Sequence, residues 1–358
     1  MSDYYPFAPK EQERELCRSE ARRCFSRVGW ACCAMMLAAQ LGAVLLTFGC
    51  QLLAMRGSRV MIAFIQSDWF QWVITDAANY GLGLPLMLWV LHGGARPAAL
   101  PRRRVTARQF GALVPVCFTV MYLSNLIGLG VNAAISALRG EQAGEPLQEM
   151  LAGGNPWIIF LFAVVIAPVA EEWVFRGVLL RRLAPWGEPA AIFGSAFLFG
   201  LFHGNFGQFF YAFAVGTVLG YVALRTGGIR YTAALHFIIN LMGVTVSMAT
   251  EGSPVLTALY GYVIVTLTVL GAVILWRHRK KIRLREGASP IPAEEKRGLF
   301  LGNSGMIANG KPCDDAVRGI FELTGGEAPG RPAGPAPQAP WGAAGRPPPE
   351  NRPQDGLP

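Results

Sequence analysis

The chain has 358 residues, of which 52% are hydrophobic and 15% are charged, and its mean hydropathy is +0.34. A soluble domain cannot bury that much apolar surface, so the composition excludes a soluble protein and indicates a polytopic membrane protein. The formal net charge is +9, but the Lys and Arg residues cluster at the ends of apolar segments, as cations that set membrane orientation do. The composition therefore predicts the lipid bilayer as a partner and excludes nucleic acid.

The chain divides into five segments in order. Residues 1–27 are predicted to be a cytosolic lead-in, because their apolar positions are too sparse for a buried helix. Residues 28–135 are predicted to form accessory transmembrane helices, 155–250 a core of further helices, and 255–281 the last helix with a basic anchor. Residues 282–358 lose hydrophobic periodicity and end in Pro, Gly and Ala, which predicts a disordered cytosolic tail.

The apolar segments predict an all-α transmembrane bundle of about eight helices. The predicted spans are Val28–Met55, Trp69–Leu91, Phe110–Ile135, Trp157–Leu180, Pro189–His203, Phe206–Leu224, Ile229–Met248 and Val255–Trp276. Gly204-Asn205 is a turn signal, so the fifth and sixth spans are predicted to form a tight hairpin. In this arrangement the dense cation clusters share one side with both termini, and the positive-inside rule predicts that this side is cytosolic.

Two adjacent carboxylates and an arginine interrupt the fourth apolar segment, where each charge would be costly to bury without a partner. On a helix Glu172 and Arg176 are four residues apart, share a face and can pair, whereas Glu171 points about 100° away from Glu172. Glu171 is therefore the carboxylate left free for chemistry. From this segment alone, a structural ion network between helices explains both acids equally well.

Two histidines supply polar groups on two other predicted helices. Phe199 precedes His203 by four residues and can pack beside its ring, while His236 and Asn240 have the same spacing and share a helix face. A lone His in an apolar helix is more often a satisfied polar group than a catalyst. Together with Glu171, however, these residues offer a general base, a second group that can hold water or a metal, and donors for an oxyanion. That set suits amide hydrolysis.

Three motifs stand in order on separate predicted helices: EExxxR at residues 171–176, FxxxH at 199–203 and HxxxN at 236–240. In these motifs the chain resembles the CAAX prenyl protease and bacteriocin-processing family of intramembrane proteases, also called the CPBP or Abi family. The resemblance covers roughly residues 155–250 and identifies that segment as the catalytic core. It implies an all-helical membrane endopeptidase that cleaves a membrane-associated protein or peptide, and a lipidated CAAX tail is the family's best-known substrate.

The same resemblance implies a role for each motif residue. Glu171 and His203 would activate the attacking water, and His236 and Asn240 would stabilise the tetrahedral oxyanion.

The resemblance also leaves the catalytic type open, because the family has been described both as metalloproteases and as glutamate-dependent proteases. Glu172 and Arg176 would hold their helix in place in either case. A divalent metal such as zinc would have Glu171, His203 and His236 as its candidate ligands, although the sequence has no HExxH motif. The carboxamide that shares a helix face with His236 is a poor zinc ligand, which slightly favours catalysis without a metal.

Two other classes of function remain as alternatives. The first is a non-catalytic membrane scaffold or bacteriocin-immunity protein of the same fold, against which the intact motifs argue. The second is a small-solute transporter, but such folds commonly show two inverted halves, and the sequence shows no such repeat. The sequence does not identify the substrate or the oligomeric state.

Overall fold

The computed structural model describes residues 9–94, 96–139, 154–250, 252–287, 289 and 291–307. Within these ranges the protein is all-α, with eleven helices. They are α1 (Pro9–Met55), α2 (Arg59–Ile65), α3 (69–92), α4 (Ala107–Arg139), α5 (Pro156–Trp186), α6 (Glu188–Phe202), α7 (Phe206–Thr226), α8 (Arg230–Thr250), α9 (Pro254–Lys281), α10 (Ala293–Leu301) and α11 (304–307).

Six of the described helices, α1, α4, α5, α7, α8 and α9, are long and apolar enough to cross a membrane. The chain is accordingly a multi-pass integral membrane protein. The sequence predicted about eight spans, and the other two segments are helices that fall short of this criterion. With 15 residues, α6 is only ~22 Å long at 1.5 Å per residue, against a hydrocarbon core of ~30 Å. The second of these two helices, α3, contains the charged residue Asp76 next to a π-helical stretch, Ala77–Gly83.

The α5 helix departs from regular α geometry on both sides of its two glutamates. Its π-helical stretches are Phe160–Ile166 and Trp173–Leu179. Pro168 lies between them and has no N–H to donate to the preceding turn, so the regular ladder of hydrogen bonds cannot continue there. A π-helical turn frees backbone carbonyls and is often found at functional sites. The π-helical stretches of α5 therefore leave backbone carbonyl oxygens available to accept hydrogen bonds from other helices.

The α6–α7 hairpin packs beside α5 at the centre of the bundle. Gly204 in the turn has a φ of +69°, which favours glycine, and the Asn205 side chain caps α7 by accepting from the Gln208 N–H at 2.8 Å. The predicted tight hairpin is thus confirmed. Where α7 crosses α6, a Cβ on Gly216 would lie 3.2 Å from the Cα of Ala196. A glycine here allows the two helices to approach closely.

One end of the bundle collects the cation-rich segments. Arg181 near the end of α5 donates to the loop carbonyl of Gly227 after α7 at 3.0 Å. Arg225 near the end of α7 pairs with Glu188 at the start of α6, with 2.8 Å between Nη2 and Oε2, and the backbone N–H of Arg285 donates to the same oxygen at 2.9 Å. The cation-bearing ends of α5, α7 and the segment after α9 therefore meet at one end.

Both terminal regions are more structured than the sequence predicted. Helix α1 begins at Pro9, and Ala21 and Phe25 in the predicted lead-in are fully buried. Within the predicted tail, α10 docks on α1, and the Phe300 ring packs against Phe25 with 5.4 Å between centroids. This burial comes from a partner far away in sequence, which local periodicity does not reveal. The rest of the predicted tail, 308–358, lies outside the described residues.

The contact between α10 and α1 is predicted to depend on pH. Glu295 on α10 accepts from Arg18 and, at 3.0 Å, from Arg14. The hydrogen bond from Arg18 is the main reason why the pKa of Glu295 lies below its ordinary value of 4.5. Because this pKa is lowered on folding, the contact contributes fully above the ordinary value and is lost as the pH falls through the lowered value. Hydrogen exchange of α10 amides, corrected for intrinsic rates, should show this loss of protection.

The Glu295→Gln variant should show faster exchange of α10 already at neutral pH. Glu294→Gln is the matched control, because Glu294 lies on the same turn, is exposed and forms no salt bridge with the described residues. Unchanged protection of α10 in Glu295→Gln at neutral pH would contradict this account.

Candidate active site

The Glu172–Arg176 pair lies at the centre of the bundle with both side chains fully buried. Arg176 Nη1 donates to Glu172 Oε1 at 2.9 Å, as the spacing of four residues predicted. Arg176 Nη2 donates to the backbone carbonyl of Gly216 on α7 at 3.2 Å, and the guanidinium carbon lies 4.6 Å from the centroid of the Phe199 ring on α6. Arg176 therefore connects α5 to both helices of the hairpin.

His236 on α8 forms a hydrogen bond with the same carboxylate, that of Glu172. Its Nδ1 lies 3.2 Å from Glu172 Oε1, and because a carboxylate only accepts hydrogen bonds, Nδ1 carries the proton. The other ring nitrogen, Nε2, lies 3.7 Å from Oε2 of Glu171. Glu172 thus fixes the orientation of the His236 ring so that Nε2 is directed toward Glu171.

His203, the residue after α6, is oriented by the backbone. Its Nδ1 lies 2.9 Å from the Phe199 carbonyl oxygen, so Nδ1–H donates and Nε2 keeps its lone pair. The Phe199 ring packs edge-on against His203 with 4.9 Å between centroids, which confirms the predicted contact. The same ring lies 5.8 Å from that of His236, also edge-on. Phe199 therefore packs against both imidazoles.

A cavity of about 510 Å³ brings the other predicted residues together. Glu171, His203, His236 and Asn240 all line it, although they come from α5, the end of α6 and α8. The Glu171 side chain keeps 15% of its surface exposed, and in the described structure it forms no salt bridge with an arginine or lysine. Of the two glutamates, Glu171 is therefore the one with access to a molecule in the cavity.

Asn240 also has a structural contact. Its Nδ2 donates to the carbonyl oxygen of Ala163 at 2.8 Å, and Ala163 lies in the first π-helical stretch of α5. Asn240 thus connects α8 to a carbonyl that lies within the irregular geometry of α5. Because a carboxamide has two N–H groups, one of them remains for another acceptor.

The cavity walls that α3, α4 and α7 contribute were not predicted from the sequence. These are mainly aromatic and apolar, with two carboxamides: Trp72, Met121, Tyr122, Asn125, Leu129, Gln208, Tyr211 and Val215. No motif marks these positions, since an apolar or aromatic residue facing a cavity looks in sequence like one facing lipid or core.

Asp76 and Tyr80 on α3 are also close enough to Glu171 to interact with it electrostatically. Asp76 could have been singled out from the sequence, because an acidic residue inside a predicted span usually has a function or a charged partner.

The donor set suits zinc, but the spacing does not. Glu171, His203 and His236 provide the atom types of a catalytic zinc site, and each His has its Nδ1 engaged, as metal-binding histidines usually do. Among the described residues, however, no three His, Cys, Asp or Glu side chains are grouped closely enough to hold one metal ion.

The comparisons with known proteins agree with the motifs. Residues 153–242 match the family model described as type II CAAX prenyl endopeptidase Rce1-like. The match covers about a quarter of the 358-residue chain and contains all seven residues that the three motifs specify. The comparisons find no match among curated proteins or solved structures. Residues 153–242 therefore form a domain of the Rce1-like type II CAAX prenyl endopeptidase (CPBP/Abi) family.

Proposed function

We propose that this protein is an intramembrane endopeptidase that hydrolyses a peptide bond of a membrane-associated protein or peptide. Family membership implies a CAAX-type intramembrane protease. The observation that best supports the chemistry is the difference between two neighbouring carboxylates. Glu172 is buried and engaged by Arg176 and His236, whereas Glu171 faces the cavity.

In the proposed mechanism Glu171 is the general base. A water that donates one O–H to Glu171 and the other to Nε2 of His203 directs a lone pair at the substrate carbonyl carbon. Glu171 takes the first proton as the C–O bond forms. When the tetrahedral intermediate collapses, the C–N bond breaks and this proton passes to the leaving amine. A base of this kind typically contributes ~10²- to 10⁴-fold to the rate.

The oxyanion is proposed to lie near α8. The uncommitted N–H of Asn240 can donate to it while the other N–H remains on Ala163. His236 can donate when its Nε2 also carries a proton, and Glu172 holds its ring in place through Nδ1. Donors fixed before the reaction stabilise developing charge without reorganisation, which is the usual source of large rate effects.

The cavity walls fit an extended peptide with apolar side chains. Asn125 and Gln208 are carboxamides between the aromatic surfaces, and they can hydrogen-bond to a peptide main chain. A lipidated peptide belongs to the same substrate class.

The membrane arrangement that accompanies this function has two further parts. We propose that α3 and α6 are embedded with the six spanning helices, which gives the predicted total of about eight. We also propose that the cation-rich end of the bundle and both termini face the cytosol, because Lys and Arg are enriched in cytosolic loops.

The first prediction from the proposed function concerns Glu171→Gln, which keeps the shape of the side chain but removes the base. Cleavage should fall by ~10²- to 10⁴-fold. Substrates can be found by quantitative profiling of new peptide termini in membranes from cells with and without the protein, and rates then measured on purified protein. Glu294→Gln, an exposed change on α10, should cleave like the unmodified protein. Full cleavage by folded Glu171→Gln protein would refute the assignment, as would solute transport into vesicles without any cleavage.

The second prediction concerns metal dependence. Since no described group of ligands is arranged for a metal ion, strong chelation of the purified protein should leave cleavage nearly unchanged. Stoichiometric zinc in active protein, together with loss of cleavage on chelation and recovery on adding Zn²⁺, would instead assign Glu171, His203 and His236 as ligands.

A further inference from the structure

A second polar site lies at the cation-rich end of the bundle, on the surface of α1. It is a groove of about 780 Å³ between α1, the end of α3 and the segment after α10. We call it the basic groove, and its lining residues are Arg22, Arg23, Ser26, Arg27, Trp30, Val90, Gly302, Asn303 and Ser304. None of them lines the catalytic cavity.

The basic groove has a positively charged lining, and the described carboxylates Glu15 and Glu295 line an adjoining cavity in which they pair with other arginines. Three arginines line the groove itself, and no carboxylate does. Arg14 and Arg18, one to two turns earlier on α1, are paired with Glu295. By contrast, Arg22 and Arg27 form no salt bridge within the described ranges. Clustered cations repel each other, so the groove favours an anion that can lie between them.

Neutral hydrogen-bonding groups connect α1 to Ser304 on the other wall of the groove. Trp30 Nε1 donates to Ser304 Oγ at 3.1 Å, and Ser304 Oγ lies 3.0 Å from Ser26 Oγ. One of the two serine hydroxyls donates to the other, and the hydrogen of the second hydroxyl remains available for an external acceptor. This wall is held tightly against α1, because a Cβ on Gly29 would lie only 2.5 Å from the carbonyl carbon of Gly305.

Three exposed tryptophans indicate the level at which the groove would lie relative to the bilayer. Trp30 borders it, Trp89 lies near the end of α3, and Trp276 directly precedes Arg277 at the end of α9, and all three are exposed. Tryptophans are enriched at the level of lipid headgroups, and basic side chains just beyond that level attract anionic lipids. The arginines of the groove directly precede the apolar part of α1, which is the position at which cations are expected to meet lipid phosphate groups.

We propose that the basic groove binds a phosphate group, and that an anionic phospholipid headgroup carries it. Guanidinium groups suit this ligand, because they donate paired hydrogen bonds to phosphate oxygens. A free phosphate ion has the same chemistry, but the position at headgroup depth favours the lipid. The proposal does not depend on proteolysis, since the groove and the catalytic cavity share no residue.

The test uses the full chain purified in detergent. Dioleoyl-phosphatidylglycerol, dioleoyl-phosphatidylcholine and inorganic phosphate are titrated separately, with bound lipid followed by native mass spectrometry and stability by the thermal unfolding midpoint. Phosphatidylglycerol should bind and raise the midpoint, whereas phosphatidylcholine should bind far more weakly. The triple variant R22Q/R23Q/R27Q should weaken phosphatidylglycerol binding by about 10- to 100-fold, as expected when three lipid-facing cations are lost.

The matched control is R277Q/R279Q/K280Q, which removes the same charge at the end of α9 and should keep the binding. The single variant Arg22→Gln removes an exposed side chain, so it should fold even where the triple variant does not, and it should weaken binding several-fold. Equal binding of the two lipids, or equal losses in the groove variants and the control, would overturn the proposal. If inorganic phosphate shifts the midpoint as much as phosphatidylglycerol does, the proposal that a lipid carries the bound phosphate group is wrong.

Discussion

The buried contact between Glu172 and Arg176 is the interaction on which the rest of the family domain depends. A charge inside a membrane protein is costly unless a partner and hydrogen bonds compensate it. Arg176 satisfies this requirement through Glu172 and the Gly216 carbonyl, and it also contacts the Phe199 ring. Glu172 additionally accepts from His236. One ion pair thus brings together α5, α6, α7 and α8.

This arrangement also determines which carboxylate is accessible from the cavity. Adjacent residues on a helix point in different directions, and Arg176 pairs with Glu172 and not with Glu171. Glu171 faces the cavity beside two imidazoles, each of which has its Nδ1 engaged by another group. The irregular geometry of α5 adds a further constraint, because Asn240 is held by the Ala163 carbonyl in a π-helical stretch.

The sequence predicted the parts of this site that depend on local spacing. The i, i+4 rule placed Glu172 beside Arg176 and Phe199 beside His203, and Gly204-Asn205 predicted the hairpin. Other features depend on contacts between distant segments, and no local pattern could show them. The docking of α10 on α1 is one example, and the contribution of α3 and α4 to the cavity is another. The short α6 shows a further limit, because an apolar segment can be read as a span although the helix is shorter than the hydrocarbon core.

The central claim is that the two glutamates have separate roles, and the most direct measurement compares their thermal unfolding midpoints and cleavage rates in one detergent. Glu172→Gln removes the counter-ion of buried Arg176, so it should destabilise the protein by about 3–5 kcal/mol and lower its midpoint. Glu171→Gln should keep the midpoint of the unmodified protein and lose cleavage. The account would be contradicted if Glu171→Gln lowered the midpoint as much as Glu172→Gln, or if Glu172→Gln left the midpoint unchanged.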